Sequence, residues 1–131
     1  LGPGFRSRSQ WSPDGARIAF VDELDRLWVT AVASGETELI DRDPYGFPPE
    51  LAWSPDGRRI AYTRRGGNFL SRILLHDLAT GRSEELTTGE HDDTTPAFSA
   101  DGEILWFAST RAFSRALSNF PVSRRHQARY S

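Results

Sequence analysis

The chain has 131 residues, 37% of them hydrophobic and 26% charged, with a formal net charge of −2. That is enough apolar material for one domain core, and it excludes a general nucleic-acid binder, which would need a basic excess. The absence of cysteine excludes disulfides, thiolate metal sites and a cysteine nucleophile, and no apolar run approaches the ~18 residues of a membrane-spanning helix.

The basic residues are all Arg and are unevenly spread. Residues 1–103 carry all 18 acidic residues and 11 Arg, whereas residues 104–131 carry five Arg and no acid. The chain does not begin with Met, and the expectation is that it is a piece of a longer protein.

Taken in order, the chain is organised by a repeat. Trp11-Ser12-Pro13-Asp14-Gly15 returns as Trp53-Ser54-Pro55-Asp56-Gly57 and, in weaker form, as Phe98-Ser99-Ala100-Asp101-Gly102, with spacings of 42 and 45 residues. Each copy is followed by a strand-like run, residues 17–21, 59–63 and 104–108. In the first two units a third run follows (26–32 and 72–78), then a small-Gly turn at Gly35 or Gly81, then a last run (37–40 and 83–87).

Pro-Asp-Gly between two apolar runs predicts a tight hairpin. Pro presets φ, Asp offers an Asx-type hydrogen bond, and Gly accepts positive φ. Asp14, Gly15, Asp56, Gly57, Asp101 and Gly102 are therefore read as structural hairpin residues, since recurrence in one slot is what a folding role requires. Several runs are apolar on both alternating faces, as in sheets covered on both sides. Four short strands per unit with a period in the forties predict an all-β fold, a β-propeller fragment of four-stranded antiparallel blades. A sandwich offers no reason for the periodic Ser-Pro-Asp-Gly. The predicted organisation is a single partial domain: blade one at about 9–42, blade two at about 50–88 and an incomplete blade three at about 94–131. About two and a half blades leave sheet faces and edges open, so association with the remainder of a larger propeller or with copies of itself is expected.

The unit Trp-Ser-Pro-Asp-Gly-x-x-Ile-Ala-Phe/Tyr resembles the PD40 (WD40-like) repeat of TolB, tricorn and dipeptidyl-peptidase-type propellers. The stretch Leu86–Asp93, then Pro96–Gly102, then Leu105–Arg111 is similar to part of the tricorn protease. This resemblance implies a cytoplasmic serine peptidase that trims oligopeptides, in which propellers gate or channel peptides to a separate catalytic domain. No catalytic residue of that family carries over to this chain, because the family's lie outside the propeller repeats. Ala100 departs from the repeat, which has Pro in that place.

Site chemistry is sparse. The chain has three His, and no Gly-x-Ser-x-Gly elbow is present. His76, beside Asp77 in a strand run, reads as a hydrogen-bonded structural histidine. His91-Asp92-Asp93 is the most chemical-looking cluster, but polar turn residues are expected in an inter-blade loop, and neither a metal nor a cofactor is assigned. Trp11, Trp53, Phe98 and Trp106 read as inter-blade packing ahead of a carbohydrate or peptide platform.

The basic tail sets Arg111, Arg115, Arg124 and Arg125 among aromatics. An inter-strand insertion is the first reading; a surface for peptide carboxylates or a partner is the second, because Arg matches carboxylate geometry. Nucleic-acid binding has no module behind it. The function expected is a non-catalytic propeller segment that gates peptides and makes subunit contacts. The alternative is a TolB-type scaffold for a protein partner with no protease attached.

Overall fold

A serine hydroxyl, an aspartate carboxylate and a glycine turn the backbone by the same bonds three times along the chain. The computed structural model describes residues 8–109. In the first turn Ser12 Oγ donates to Asp14 Oδ1 at 2.6 Å, while Asp14 Oδ1 accepts Ala16 N–H and Ser12 Oγ accepts Arg17 N–H. Ser54 with Asp56, and Ser99 with Asp101, repeat this set at the same 2.6 Å. Each turn is closed by a glycine N–H donating to the serine carbonyl at 2.9 Å. The glycines sit at φ 74°, 73° and 76°, where an L side chain is disfavoured. Ala100 keeps this geometry because the second turn position needs only an ordinary right-handed φ, which Pro presets but does not monopolise.

From these hairpins grow ten strands and, among the described residues, no helix. Blade one contains β1 (Arg8–Trp11), β2 (Arg17–Val21), β3 (Arg26–Ala31) and β4 (Thr37–Arg42), paired in that order. Blade two contains β5 (Leu51–Trp53), β6 (Arg59–Arg65), β7 (Ser71–Asp77) and β8 (Arg82–Glu85), again in sequence order. Blade three is described as β9 (Asp93–Phe98) and β10 (Leu105–Ser109). All pairings are antiparallel. This is the all-β architecture of stacked propeller blades.

Strand alternation delivers two apolar faces per blade, and the cores lie between blades. Ala19, Val21, Leu27 and Val29 of blade one meet Trp53, Ile60, Tyr62 and Leu74 of blade two. The other face of blade two, Ala61, Ile73 and Leu75, meets Leu105 and Phe107 of blade three, with Phe98 packed against them. A bulge at Ile40, between the pairs Leu27↔Asp41 and Trp28↔Leu39, breaks strict alternation in β4. As a result Ile40 joins the inter-blade core and Asp41, its neighbour, also reaches blade two.

The hairpin tips of successive blades touch. A Cβ on Gly57 would lie 3.2 Å from Asp14 Oδ2, whereas one on Gly15 would meet nothing within 4 Å. Asp14 is held by its own turn and cannot retreat freely. Gly15→Ala is therefore expected to cost about 1 kcal/mol for the left-handed backbone alone, and Gly57→Ala about 2 kcal/mol. Urea unfolding of the two variants measures the difference; equal losses would mean that the tips do not abut.

Candidate functional site

The first strands of blades one and two converge: Gln10 Nε2 donates to Leu51 O at 3.0 Å, and Trp53 Nε1 donates to Gln10 O at 3.1 Å. Between them opens a cleft of about 660 Å³, floored by Thr63 and walled by Phe47, Pro48, Pro49 and Arg65. That volume falls in the range of small-ligand pockets.

The wall is built by loops pinned through carboxylates. Asp43 is buried, and its Oδ1 accepts Tyr45 N–H at 2.7 Å while its Oδ2 accepts Arg65 N–H at 3.0 Å. Glu50 is tied twice to Thr63, its carbonyl accepting Thr63 N–H and its N–H donating to Thr63 Oγ1, and its Oε1 accepts Thr95 N–H at 2.7 Å, so blades two and three are joined at the cleft's edge.

At the rim stands an aromatic cluster. Phe69 has φ 62°, a left-handed conformation that costs a bulky residue roughly 1–2 kcal/mol. Its ring meets Tyr45 and Phe47 edge-on at centroid distances of 5.8 and 6.3 Å. Arg65 lies 4.2 Å from the Phe47 centroid and donates to Phe69 O at 2.9 Å. Among the described residues Arg65 makes no ion pair, in contrast to Arg64, which is paired with Asp41 and Glu85. The cleft thus combines strand edges, aromatic rings and the Arg65 guanidinium, which is held by a ring and a carbonyl but carries no carboxylate partner among the described residues.

Behind the floor, Tyr62 OH donates to Asp41 Oδ2 at 2.7 Å, and Arg64 Nη1 donates to the same carboxylate at 3.0 Å. Burial, foremost, pushes the Tyr62 phenol far above its ordinary range, so it stays a neutral donor.

His76 lies in β7, buried, with Nδ1 2.7 Å from Ser83 Oγ. Its sequence neighbour Asp77 is instead engaged by Arg58, at 3.1 Å through both guanidinium contacts. Burial holds the His76 imidazole below its usual pKa. A Ser–His contact alone is no hydrolytic apparatus: His76 Nε2 is buried without a partner among the described residues, so no acid orients the ring.

Asp92 Oδ1 accepts Ser71 N–H at 2.8 Å and Asp93 is buried in β9, while His91 lies at the loop surface. No group of three His, Asp or Glu side chains converges as a metal site among the described residues. The carboxyls of Asp14, Asp56 and Asp101 are held below the usual range, first by the hydrogen bond from Ser12, Ser54 or Ser99. Arg111, Arg115, Arg124 and Arg125 lie outside the described residues. Trp53 and Phe98 pack between blades as the repeat predicts, but Trp11 is 60% exposed, because the face it stands on has no described neighbour.

Neither the cleft nor the Asp41 network was legible in the motifs. The one signal was local: Gly66-Gly67-Asn68 marks a tight β6–β7 turn, which throws Phe69 into its left-handed pose.

A family model described as the TolB beta propeller domain, PD40, matches residues 7–130. The chain belongs to this family. It is 33% identical over 102 residues to tricorn protease homolog 1 of Streptomyces coelicolor, covering 78% of this chain and 10% of that protein. Among solved structures, the tricorn protease superposes with a TM-score of 0.76 at 18% identity, over 95% of this chain and 13% of that one. The putative TolB of Agrobacterium tumefaciens superposes with a TM-score of 0.67 at 25% identity, over 92% of this chain and 41% of that one. This PD40 chain spans about a tenth of the length of the tricorn homologues it matches. No helix among its described residues is long and apolar enough to cross a membrane.

Proposed function

We infer that this PD40 segment gates oligopeptides in a cytoplasmic tricorn-like peptidase, without taking part in bond cleavage itself. The observation that carries the reading is the cleft between the first strands of blades one and two. It is apolar on the Phe47–Pro49 wall, offers strand edges for main-chain hydrogen bonds, and places the Arg65 guanidinium at its rim. Extended peptides are recognised by such edges together with side-chain pockets. The similarity to tricorn protease homologues supports peptides as the class that passes.

The second reading, a TolB-type scaffold for a folded protein, is favoured by the larger share of the TolB chain that this segment covers. The two separate on one measurement. Fluorescein-labelled penta- to decapeptides of mixed sequence are titrated with the chain and followed by anisotropy and by mass spectrometry. Gating predicts saturable binding of intact peptides, weakened about tenfold by Phe47→Ala or Arg65→Gln, or about 1.4 kcal/mol. No binding up to about 1 mM chain would overturn the peptide reading and leave the scaffold. Turnover of the peptide by the chain would overturn the non-catalytic assignment.

A further inference from the structure

Cross-strand pairs line up in rows across each blade. On the face of blade two that meets blade one, a row runs Trp53, Ile60, His76, Ser83. On the facing side of blade one, a row runs Gln10, Ala19, Val29, Glu38. The Trp53 Nε1 bond to Gln10 O joins the inner ends of the two rows, and Ala19, Val29, Trp53 and Ile60 share one buried core. His76, two residues beyond Leu74 on the same face of β7, is thus a titratable side chain set inside an apolar inter-blade contact, 4% exposed. Its Nδ1 meets Ser83 Oγ, while Nε2 is buried and has no partner among the described residues. Protonation puts a charge on this ring without giving Nε2 an acceptor, and an unpaired buried charge costs far more than an unpaired neutral group.

We propose that protonation of His76 loosens blade one from blade two, so that their contact is tight at neutral pH and weakened in mild acid. The charges around the ring decide the sign. From blade one, Glu38 and Asp41 of β4 attract a cation at His76; β3 brings only Leu27, Val29 and Ala31 to this face, and β2 brings Arg17. Within blade two, Asp77 attracts from the next position in β7 but is engaged by Arg58. Glu85 of β8 is paired with Arg64 of β6 and Arg72 of β7, and Asp41 is held by Arg64 and Tyr62. Glu38 alone of these carboxylates has no ion-pair partner among the described residues, and it is exposed, so water and salt screen it. Burial therefore prevails and holds the imidazole below its ordinary 6.5. For a histidine depressed in this way, stability is greatest above the unfolded pKa and falls as pH drops from there towards the folded value. The device is independent of what passes through the cleft.

Two measurements on the full chain test it. Titration of the His76 ring by nuclear magnetic resonance is expected to show a midpoint below 6.5, moved further down by Glu38→Gln, which removes an attraction for the cation. Exchange of the Trp53 indole N–H reports the bond to Gln10 O, and so the parting of the two blades. Parent and His76→Gln are compared at the same pH, so that the intrinsic exchange rate and the other two histidines cancel. Between about pH 7.5 and about pH 5.5 the ratio of parent to variant exchange rates is expected to rise by up to about tenfold, the limit for a group of ordinary pKa 6.5 that stays neutral while the blades are closed. A ring midpoint at or above 6.5, or a ratio indifferent to pH, overturns the proposal. So does an equal rise at the amides of β10 in blade three, since that is unfolding of the whole chain and not the parting of blades one and two. Should His76→Gln fail to fold, the ring titration of the parent chain and of Glu38→Gln decides alone.

Discussion

Tyr62→Ala is expected to remove about 3–5 kcal/mol, a large part of the 5–15 kcal/mol typical of a whole domain. The ring is 1% exposed and stands between Leu27, Val29 and Leu74 at the centre of the core shared by blades one and two. Its loss opens a cavity that paired strands on both sides cannot collapse to fill. Tyr62→Phe separates packing from polarity. Asp41 loses the phenol but keeps Arg64, so no carboxylate is orphaned and only about 1 kcal/mol is expected.

The location of the defect has a further consequence. Blades stack in one dimension, each touching its neighbours, so a lesson learned from repeat proteins applies: interface terms set cooperativity. Tyr62→Ala weakens an interface without touching a hairpin. Unfolding followed through tryptophan fluorescence is therefore expected to broaden, with an apparent m-value below that of the parent chain. An unchanged midpoint would mean that blades one and two are not coupled through this ring.

The hairpins were readable because a turn is local chemistry. Pro, Asp and Gly each answer a requirement set within four residues, and the strands on either side follow from alternation. What the motif concealed was the role of Ser12, Ser54 and Ser99, whose hydroxyls both donate to the aspartate and accept the N–H of the next strand. That serine set explains why Ala100 leaves the third turn intact, since the contacts come from Ser99 and Asp101.

Positions whose meaning depends on a neighbouring blade were less legible. Trp11 and Trp53 occupy the same slot in the repeat, yet one is 60% exposed and the other 8%, because only the second faces a described blade. Asp41 reaches Tyr62 only because of the bulge at Ile40, and no composition rule announces one extra residue in a strand. The cleft is harder still: its wall, floor and rim come from segments that are distant in sequence. His76 illustrates the limit at a single residue, since its adjacent acid turns to Arg58 and its partner is a serine on the next strand.

Asp22→Asn is the second substitution with a large expected effect, about 2–3 kcal/mol at pH 7. Asp22 directly follows β2 and is a four-bond acceptor: Oδ1 takes Leu24 N–H and Arg26 N–H, while Oδ2 takes Arg26 Nε at 2.7 Å and Trp28 Nε1 at 2.8 Å. Asn supplies one oxygen and sets an N–H₂ against two donors, so Trp28 loses its partner. Burial resists the charge on Asp22, but the bonds from Arg26, Trp28 and Leu24 outweigh it and bring the carboxyl to about 2 from an ordinary 3.8. A depressed carboxyl stabilises the fold above its unfolded pKa and loses that contribution as pH falls through its folded one. The gap between parent and variant is therefore expected to be constant from pH 7 down to about 5, and then to narrow between about pH 4 and pH 2. The ionisation component is about 1 kcal/mol once contact with solvent at the blade rim is allowed for. Urea midpoints at pH 7, 4 and 2.5 measure it; a gap of equal size at all three would mean that shape, and not charge, makes Asp22 the anchor of this hairpin.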